Sequence, residues 1–287
     1  MPELPEVETV RRGLNRLTLN QEIQGGEVLL DRTISRPIFV SEFLSGLTGT
    51  AIAQWHRRGK YLIAELVQGI GSEEFPTPAG YLGAHLRMTG QLLWVDAAEP
   101  VHKHTRVRLF FQGDRELRFV DQRTFGQLWW VPPNQSPEQI ITGLQALGPE
   151  PFSAEFSVDY FYQQLHSRQR PIKNALLDQR IVAGLGNIYA DEALFLSGIH
   201  PQTLCSTLTR NQVKLLHSTT LKVLQDSIDA NGTTFSTFRN VEGINGNYGG
   251  KAWVYGRDGE TCRTCETVIH RVKMAGRSAH FCPQCQR

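Results

Sequence analysis

The residues with the clearest chemical potential stand at the start of the chain, in the segment MPELPE. A small second residue favours removal of Met1, which leaves Pro2 with a free secondary amine. Such an amine can attack an electrophilic carbon and form an iminium, and Glu3 beside it can move a proton. From these residues alone, an ordinary helix start capped by proline remains the simpler interpretation.

A second chemical group is formed by cysteines near the carboxyl end. Cys262-x2-Cys265 is separated by sixteen residues from Cys282-x2-Cys285, which falls within the zinc-ribbon range. Because four thiolates leave no open coordination position, we predict one structural Zn²⁺ and no catalytic metal. The fifth cysteine, Cys205, makes the count odd, which argues against a disulfide framework. We expect it to be a buried, inert thiol.

The segment between the cysteine pairs predicts a β-hairpin that turns at Ala275-Gly276, with Arg277 just past the tip. Residues 251–287 carry seven basic and three acidic side chains, whereas residues 1–30 carry three basic and five acidic ones. A basic zinc ribbon favours a nucleic-acid partner. With that partner, the Pro2 amine could attack the anomeric carbon of a nucleoside, expel the base and support strand cleavage.

The elements that must position these groups change in type along the chain. Residues 4–17 predict a helix, and the positive end of its dipole beside Pro2 favours the unprotonated amine. Residues 22–131 predict short strands of a β-sandwich, with a hairpin turn at Gly113-Asp114 and an exposed insertion at 69–80. Further helices are predicted over 156–165, 171–177, 188–196 and 209–228.

Two glycine-containing segments interrupt the helical half. The turn VAGLGN places Asn187 at the start of a helix, where unpaired N–H groups can bind phosphate, although most such turns only connect helices. Residues 231–250 show no core pattern and predict either a linker or a mobile lid. No run of apolar residues is long enough for a membrane span, and the acidic start is unlike a signal peptide, so we expect an intracellular protein.

Five blocks together carry a resemblance to a known family: PELPEVETVRRG, WHRRGKYL, DQRTFG, AGLGNIYADEALF and the four-cysteine ribbon. In this order, from Pro2 to Cys285, the chain resembles bacterial formamidopyrimidine-DNA glycosylase, a family related to endonuclease VIII. The resemblance implies an α+β multidomain fold. Its expected parts are an N-terminal helix with a β-sandwich (1–135), a helix-two-turn-helix domain with a lesion-capping loop (136–250) and a zinc-finger hairpin (251–287).

The resemblance also implies roles for individual residues, with damaged double-stranded DNA in the cleft between the domains. Pro2 is similar to the Schiff-base nucleophile and Glu3 to its acid, while Lys60 and Arg277 resemble residues that hold phosphates and assist elimination. An exposed hairpin lysine is the plain alternative for Lys60. The other DNA contacts that the resemblance implies are His104, Arg168, Arg170, Lys173 and Asn187.

A set of three residues resembles the group that fills the gap left by a flipped nucleotide. Met88 and Phe125 match the intercalating side chains, and Arg123 matches the arginine that faces the orphaned cytosine. The plain alternative places Met88 and Phe125 in the sandwich core. The chain departs from the family at Gln122, where proline is frequent, and at Thr124, where a second basic residue is frequent. We expect a weaker grip on the DNA backbone there.

The predicted activity is that of a monomeric, cytoplasmic bacterial enzyme of base excision repair that associates with the nucleoid through DNA. It would be a bifunctional glycosylase and AP lyase for oxidised purines, principally 8-oxoguanine and formamidopyrimidines, ending in β,δ-elimination. An endonuclease VIII-like enzyme for oxidised pyrimidines is the alternative within the same architecture. It usually begins PEGPE, whereas this chain begins PELPE after Met1. A non-catalytic zinc-ribbon DNA-binding protein is the alternative from another class.

Overall fold

The computed structural model describes residues 1–69, 76–233 and 239–287. These residues divide into two compact units, one made of Met1–Gln145 with Gly232–Gly246 and one made of Ala146–Asn231 with Asn247–Arg287. Parts of the predicted insertion (70–75) and of the predicted lesion-capping loop (234–238) lie outside the described residues. The domain limits 1–135, 136–250 and 251–287 stay a prediction.

The first unit is a β-sandwich with helices at its edges, as expected from the sequence. The elements are α1 (Leu4–Thr18), β1 (Ile23–Val28), β2 (Ile34–Arg36), α2 (Val40–Leu47), β3 (Ala51–Arg58), β4 (Tyr61–Gln68), β5 (Thr77–His85), β6 (Gly90–Asp96), β7 (Thr105–Phe111), β8 (Arg115–Asp121), β9 (Gln127–Val131) and α3 (Pro137–Ile140). One sheet has the strand order β1-β7-β8-β6, and the other has the order β2-β9-β5-β4-β3.

The core of this unit follows from the periodicity of its elements. Helix α1 buries Val7, Val10 and Leu14 on one face, while β7 buries every second residue, as a strand with one face in the core must. The turn at Gly113-Asp114 has positive φ at both residues and joins the paired strands β7 and β8, which confirms the predicted hairpin. Helix α2 was not predicted, because its short span buries only Phe43 and Leu47.

The second unit contains the remaining helices and the carboxyl-terminal hairpin. Helix α6 (Asn187–Leu196) is buried from Ile188 to Phe195, so it forms the centre of the unit. The hairpin turns at Ala275-Gly276 with positive φ at both residues, as predicted. The elements are α4 (Val158–His166), α5 (Ile172–Leu176), α6 (Asn187–Leu196), α7 (Arg210–Asp229), β10 (His270–Met274) and β11 (Arg277–Phe281).

Two sequence predictions about loops need correction. Residues 77–80 of the expected exposed insertion belong to β5, where a Cβ on Gly80 would lie 2.0 Å from the carbonyl oxygen of Val131. The segment 231–250 does contribute to cores: Val241 is buried in the first unit and Tyr248 in the second. Among the described residues, none of the helices has the length and apolar character needed to cross a bilayer.

Candidate functional site

The start of α1 holds the predicted nucleophile and acid in a fixed arrangement. Pro2 is buried, and Glu3, at 2% exposure, is the N-cap of the helix. Glu3 and Glu6 form a capping box, in which the Glu3 backbone N–H donates to Glu6 Oε2 at 2.8 Å. The box fixes the Glu3 carboxyl group one residue from Pro2. The chemistry of the segment and its role as a helix start are therefore compatible.

Glu6 is a site residue that sequence reasoning missed. Its second oxygen, Oε1, accepts a hydrogen bond from the backbone N–H of Thr233 at 2.8 Å. A Cβ on Gly232 would lie 3.3 Å from Glu6, and φ at Gly232 is +78°, so glycine suits this close approach. Glu6 thereby ties the start of α1 to the point where the chain enters the predicted lesion-capping loop. The spacing of Glu3 and Glu6 was the available signal, because it matches a capping box.

The state of the Pro2 nitrogen depends on Met1. While Met1 is attached, this nitrogen belongs to a tertiary amide, whose lone pair is delocalised and does not attack carbon. Met1 itself is 38% exposed, whereas Pro2 is buried. Removal of Met1 would convert the buried nitrogen into a secondary amine without changing the helix that follows.

Lys60 lies at the turn between β3 and β4 and is only 7% exposed, which excludes the exposed hairpin lysine. Arg57 supports this turn, since it donates to the carbonyl oxygen of Gly59 and to Glu8 Oε2, each at 3.2 Å. Glu8 belongs to α1, so one partly buried ion pair joins the helix that begins beside Pro2 to the hairpin that carries Lys60. Both elements are therefore held in one assembly.

The charge of Glu8 is balanced by three guanidinium groups. Burial alone would raise the pKa of the Glu8 carboxyl, but hydrogen bonds from Arg11 and Arg12 and the charges of Arg11 and Arg57 lower it to about 2. Glu8 is thus ionised at neutral pH. Arg11 and Arg12 of α1 therefore hold this carboxylate on their own helix.

The predicted wedge residues are on the surface. Phe125 is 53% exposed and Met88 is 38% exposed, so neither belongs to the sandwich core. Arg123 is also exposed, and its guanidinium carbon lies 5.0 Å from the centre of the Phe125 ring, which is a cation–π distance. Large apolar side chains kept in water beside a cation are suited to insertion into stacked bases.

The segment that presents these residues, called the wedge turn below (residues 121–127), is organised by Asp121. This carboxylate is 1% exposed, and it accepts hydrogen bonds from the backbone N–H groups of Gly126 at 2.7 Å and Arg123 at 3.2 Å. Thr89 joins the same network, since its hydroxyl donates to Asp121 and accepts from the Arg123 N–H at 2.9 Å. Asp121 thus fixes the backbone on both sides of Phe125.

Two of the histidines in the same unit have lowered pKa values. His104 is half-buried, and partial desolvation and the charges of Lys103 and Arg106 lower its pKa. His85, which sequence reasoning missed, is 6% exposed, and burial and the charges of Arg87 and Lys60 lower its pKa to about 3. Its Nδ1 accepts the backbone N–H of Arg87 at 3.0 Å, so the neutral ring carries its proton on Nε2. Nothing in the strand pattern distinguished His85 from a structural residue.

In the second unit, Asn187 is the first residue of α6, as the sequence predicted. Its Oδ1 is buried and has no hydrogen-bond partner among the residues that the structure describes. Arg170 pairs with Asp178 at 2.8 Å, and Arg168 donates to Ser167 Oγ at 3.2 Å and to the Gln164 carbonyl. The DNA contacts of these residues stay predictions.

The structure contradicts the predicted phosphate contact of Lys173. Its side chain is 1% exposed, and its Nζ lies 2.6 Å from Asp191 Oδ1 and also donates to the carbonyl of Ser278. Asp191 Oδ2 accepts the backbone N–H and the ring Nδ1–H of His280, each at 3.0 Å. Lys173 therefore joins α5 and α6 to β11, and a buried, ion-paired ammonium group is out of reach of a DNA phosphate.

Glu192, the next residue of α6, also binds a distant segment of the chain. Glu192 is fully buried and accepts the backbone N–H groups of Trp253, Val254 and Tyr255 at 2.7 to 3.0 Å. Burial raises the pKa of the Glu192 carboxyl, although these hydrogen bonds oppose the shift. Two consecutive acids inside the apolar run NIYADEALFL were the signal that sequence reasoning missed.

The four predicted cysteine ligands do come together. Their Sγ atoms lie within 4.8 Å of one another, with 3.4 Å between Cys265 and Cys282, 3.4 Å between Cys265 and Cys285, and 3.9 Å between Cys262 and Cys285. Sulfur atoms of a tetrahedral zinc site are about 3.8 Å apart, since Zn–S bonds are about 2.3 Å. The four thiols therefore fit a structural Zn²⁺. Arg277 is exposed directly after the hairpin turn.

Cys205 lies apart from the metal ligands. It is fully buried, and burial raises the pKa of its thiol to about 11. At neutral pH the reactive thiolate is therefore scarce, and the expectation of an inert thiol is supported.

Three family models match successive parts of the chain. They are the N-terminal domain of formamidopyrimidine-DNA glycosylase over residues 1–128, its H2TH domain over 147–239, and the zinc finger found in FPG and IleRS over 259–287. The chain is also 63% identical to the formamidopyrimidine-DNA glycosylase of a Nostoc species and 61% identical to that of Trichodesmium erythraeum, with all of each chain covered. The chain belongs to the formamidopyrimidine-DNA glycosylase family. The resemblance seen in the sequence is confirmed.

Solved structures of formamidopyrimidine-DNA glycosylases share the fold. A Lactococcus lactis variant in complex with Fapy-dG DNA has a TM-score of 0.88 and 35% identity over 100% of both chains. The Thermus thermophilus protein has a TM-score of 0.85 and 37% identity, with 99% of this chain and 98% of that one covered. These matches confirm the predicted combination of a β-sandwich, a helix-two-turn-helix domain and a zinc-finger hairpin.

Proposed function

We propose that this chain excises 8-oxoguanine and formamidopyrimidines from duplex DNA through a Schiff base at Pro2 and then cleaves the strand by β,δ-elimination. The observation that carries the proposal is the buried Pro2-Glu3 pair at the capped start of α1. The purine assignment is supported by solved relatives, one bound to Fapy-dG DNA and another to carbocyclic 8-oxo-G DNA. The same proposal places the enzyme, as a monomer, in the cytoplasm on nucleoid DNA.

The first step releases the damaged base. After Met1 is removed, the Pro2 amine attacks C1′, the bond between C1′ and the base breaks, and the base leaves with a proton delivered through Glu3. The Pro2 nitrogen then loses its proton, and the sugar ring opens as its oxygen leaves C1′ and gains a proton. A positively charged iminium joins Pro2 to C1′.

The next steps cleave the strand. The iminium acidifies C2′, whose proton is lost as the 3′ phosphate departs, and a second elimination expels the 5′ phosphate. Water then hydrolyses the iminium and restores Pro2. We assign Lys60 and Arg277 to contacts with DNA phosphates, because the resemblance implies this role for both and each is a cation at a hairpin turn. Their positive charges stabilise departing phosphate groups.

DNA is held open by the wedge turn in this proposal. Phe125 and Met88 replace the flipped nucleotide in the stack, and Arg123 faces the cytosine that remains. Their exposure and the network around Asp121 support these roles. His104, Arg168, Arg170 and Asn187 add contacts to the backbone.

Borohydride trapping on defined duplexes tests the function. The mature protein is expected to form a covalent adduct with 8-oxoguanine opposite cytosine and with formamidopyrimidine duplexes, and to leave undamaged duplex intact. Faster trapping on an oxidised-pyrimidine duplex would favour the endonuclease VIII-like alternative. Binding of lesion DNA with no adduct on any duplex would favour a non-catalytic DNA-binding protein.

A further inference from the structure

Three arginines from separate parts of the first unit converge on the wedge turn, and two of them have no role in the function described above. Arg32 Nη2 donates to the hydroxyl of Thr124 at 2.6 Å, and Arg87 Nη2 donates to the side-chain oxygen of Gln127 at 3.0 Å. The third, Arg123, lies over the ring of Phe125. All three arginines are exposed.

The charges of these arginines are not paired with carboxylates in the part of the chain that the structure describes. Among the described residues, none of the three forms an ion pair with a carboxylate, whereas Arg108 and Arg118 of the same unit both pair with Glu116. The acid of the wedge turn, Asp121, is buried and accepts hydrogen bonds from two backbone N–H groups and from Thr89. Positive charge therefore accumulates around an exposed aromatic side chain.

The hydrogen bonds orient the two guanidinium groups without using most of their donors. A guanidinium group has five N–H donors, and the contacts to Thr124 and Gln127 each use one. Thr124, which accepts the hydrogen bond from Arg32, and Arg87 itself both have positive φ. The backbone at each of these two residues is therefore held in an uncommon conformation. A fixed, charged fork with spare donors matches the oxygens of a phosphate group.

We propose that Arg32 and Arg87 are DNA phosphate contacts that hold the backbone beside the wedge. This inference rests on the proposed function, because it requires DNA to be opened at Phe125. Arg32 also compensates for a local departure of the sequence: it brings a cation to Thr124, a position where the chain itself has no basic side chain. The weaker backbone grip expected from Thr124 is therefore not expected in the folded protein.

The test measures how binding depends on salt. Dissociation constants would be determined over a series of KCl concentrations for a duplex that carries a stable abasic-site analogue opposite cytosine. Each lost phosphate contact lowers the slope of log affinity against log salt by about 0.9. Arg32→Gln and Arg87→Gln are each expected to lower the slope by about 1, and the double variant by about 2, while Arg→Lys at either position keeps it.

Controls separate a phosphate contact from a structural role. Lys222→Gln removes one positive charge that is paired with Asp226 on the exposed side of α7, and it should leave the slope unchanged. Thr124→Arg in the Arg32→Gln background should restore it. Equal slopes for the wild type and the double variant would overturn the inference, even if affinity fell. Wild-type protein that does not bind the lesion duplex would instead overturn the proposed function.

Discussion

Helices α1 and α6 both carry buried acidic side chains, but these side chains make different contacts. In α1 they stand in the first turns, where Glu3 and Glu6 accept backbone N–H groups and Glu8 pairs with arginines. In α6 they stand in the middle of the helix, where Asp191 accepts hydrogen bonds from β11 and Glu192 accepts them from residues 253–255. The acids of α1 lie in the turns that follow the proposed nucleophile Pro2, whereas those of α6 fasten the zinc-finger hairpin and residues 253–255 to that helix.

The two helices also show opposite electrostatic balances. The pKa of Glu8 is lowered because three guanidinium groups outweigh its burial, while the pKa of Glu192 is raised because burial outweighs three backbone hydrogen bonds. A buried acid is therefore not evidence of catalysis by itself. What distinguishes α1 is that its acids adjoin a residue with nucleophilic potential.

The largest effect is expected at Glu3. Glu3→Gln should slow base excision by about 10² to 10⁴-fold, the usual contribution of a positioned proton donor. Lyase activity on a preformed abasic site should survive in part, because that substrate has already lost its base. Single-turnover kinetics on both substrates measure the difference, with exposed Glu42→Gln as the control. Equal losses on both substrates would remove Glu3 from the excision step.

The next largest effect is expected on stability, when the buried ion pair between Lys173 and Asp191 of α6 is broken. Lys173→Met should lower the free energy of unfolding by about 3 to 5 kcal/mol, because Asp191 would keep a buried charge without its ammonium partner. Lys222→Met, which breaks an exposed pair on α7, should cost only about 0.3 to 0.5 kcal/mol. Denaturant titrations of the two variants compare them directly. Similar small losses would mean that Lys173 does not fasten the hairpin.

A smaller effect is expected in the wedge turn, where Arg123→Ala should change base preference and not stability. Arg123→Ala should reduce the preference for cytosine over adenine opposite the lesion, since a good base contact contributes about 1 to 3 kcal/mol of discrimination. Stability should hardly change, because the side chain is exposed and the turn is held by backbone contacts to Asp121. Excision rates on the two duplexes measure the preference. An unchanged ratio would exclude Arg123 as the reader of that base.

The smallest effect is a difference in pH dependence. Because the pKa of Glu8 is lowered from 4.5 to about 2, its contribution to stability is present above pH 4.5 and is lost as the pH falls towards 2. The raised pKa of Glu192 acts in the opposite sense: its contribution is present below pH 4.5 and is lost as the pH rises through the folded-state pKa.

Unfolding free energies of the wild type, Glu8→Gln and Glu192→Gln over a pH series test both signs. The advantage of the wild type over Glu8→Gln should grow as the pH rises from 2 to 4.5. Its advantage over Glu192→Gln should shrink with rising pH. If both differences moved in the same direction, the contrast between the two helices would be lost.

The features that the sequence predicted are those encoded by neighbouring residues. The helix after Pro2, the hairpin turns at Gly113-Asp114 and Ala275-Gly276, and the cysteine pairs all rest on spacings of a few residues. Local spacing determines which side chains share a face or a turn, so these predictions needed no tertiary information.

The features that escaped prediction depend on residues far apart in the chain. Glu6 contacts Thr233, and Lys173 was expected on the surface but lies buried between Asp191 and Ser278. A lysine that faces a carboxylate across a core has the same local sequence pattern as one that faces solvent. Only the packing of distant segments decides between a phosphate contact and a buried ion pair.

The central claim, that the nitrogen of Pro2 is the nucleophile, is tested most directly by mapping the trapped adduct. Purified protein would be weighed by mass spectrometry, reacted with 8-oxoguanine duplex in borohydride and digested. The same reaction would be run with a form that keeps an extra residue before Pro2. The account predicts loss of one methionine, an adduct on the peptide that begins at Pro2, and no adduct with the extended form. An adduct on Lys60, or full trapping by the extended form, would contradict it.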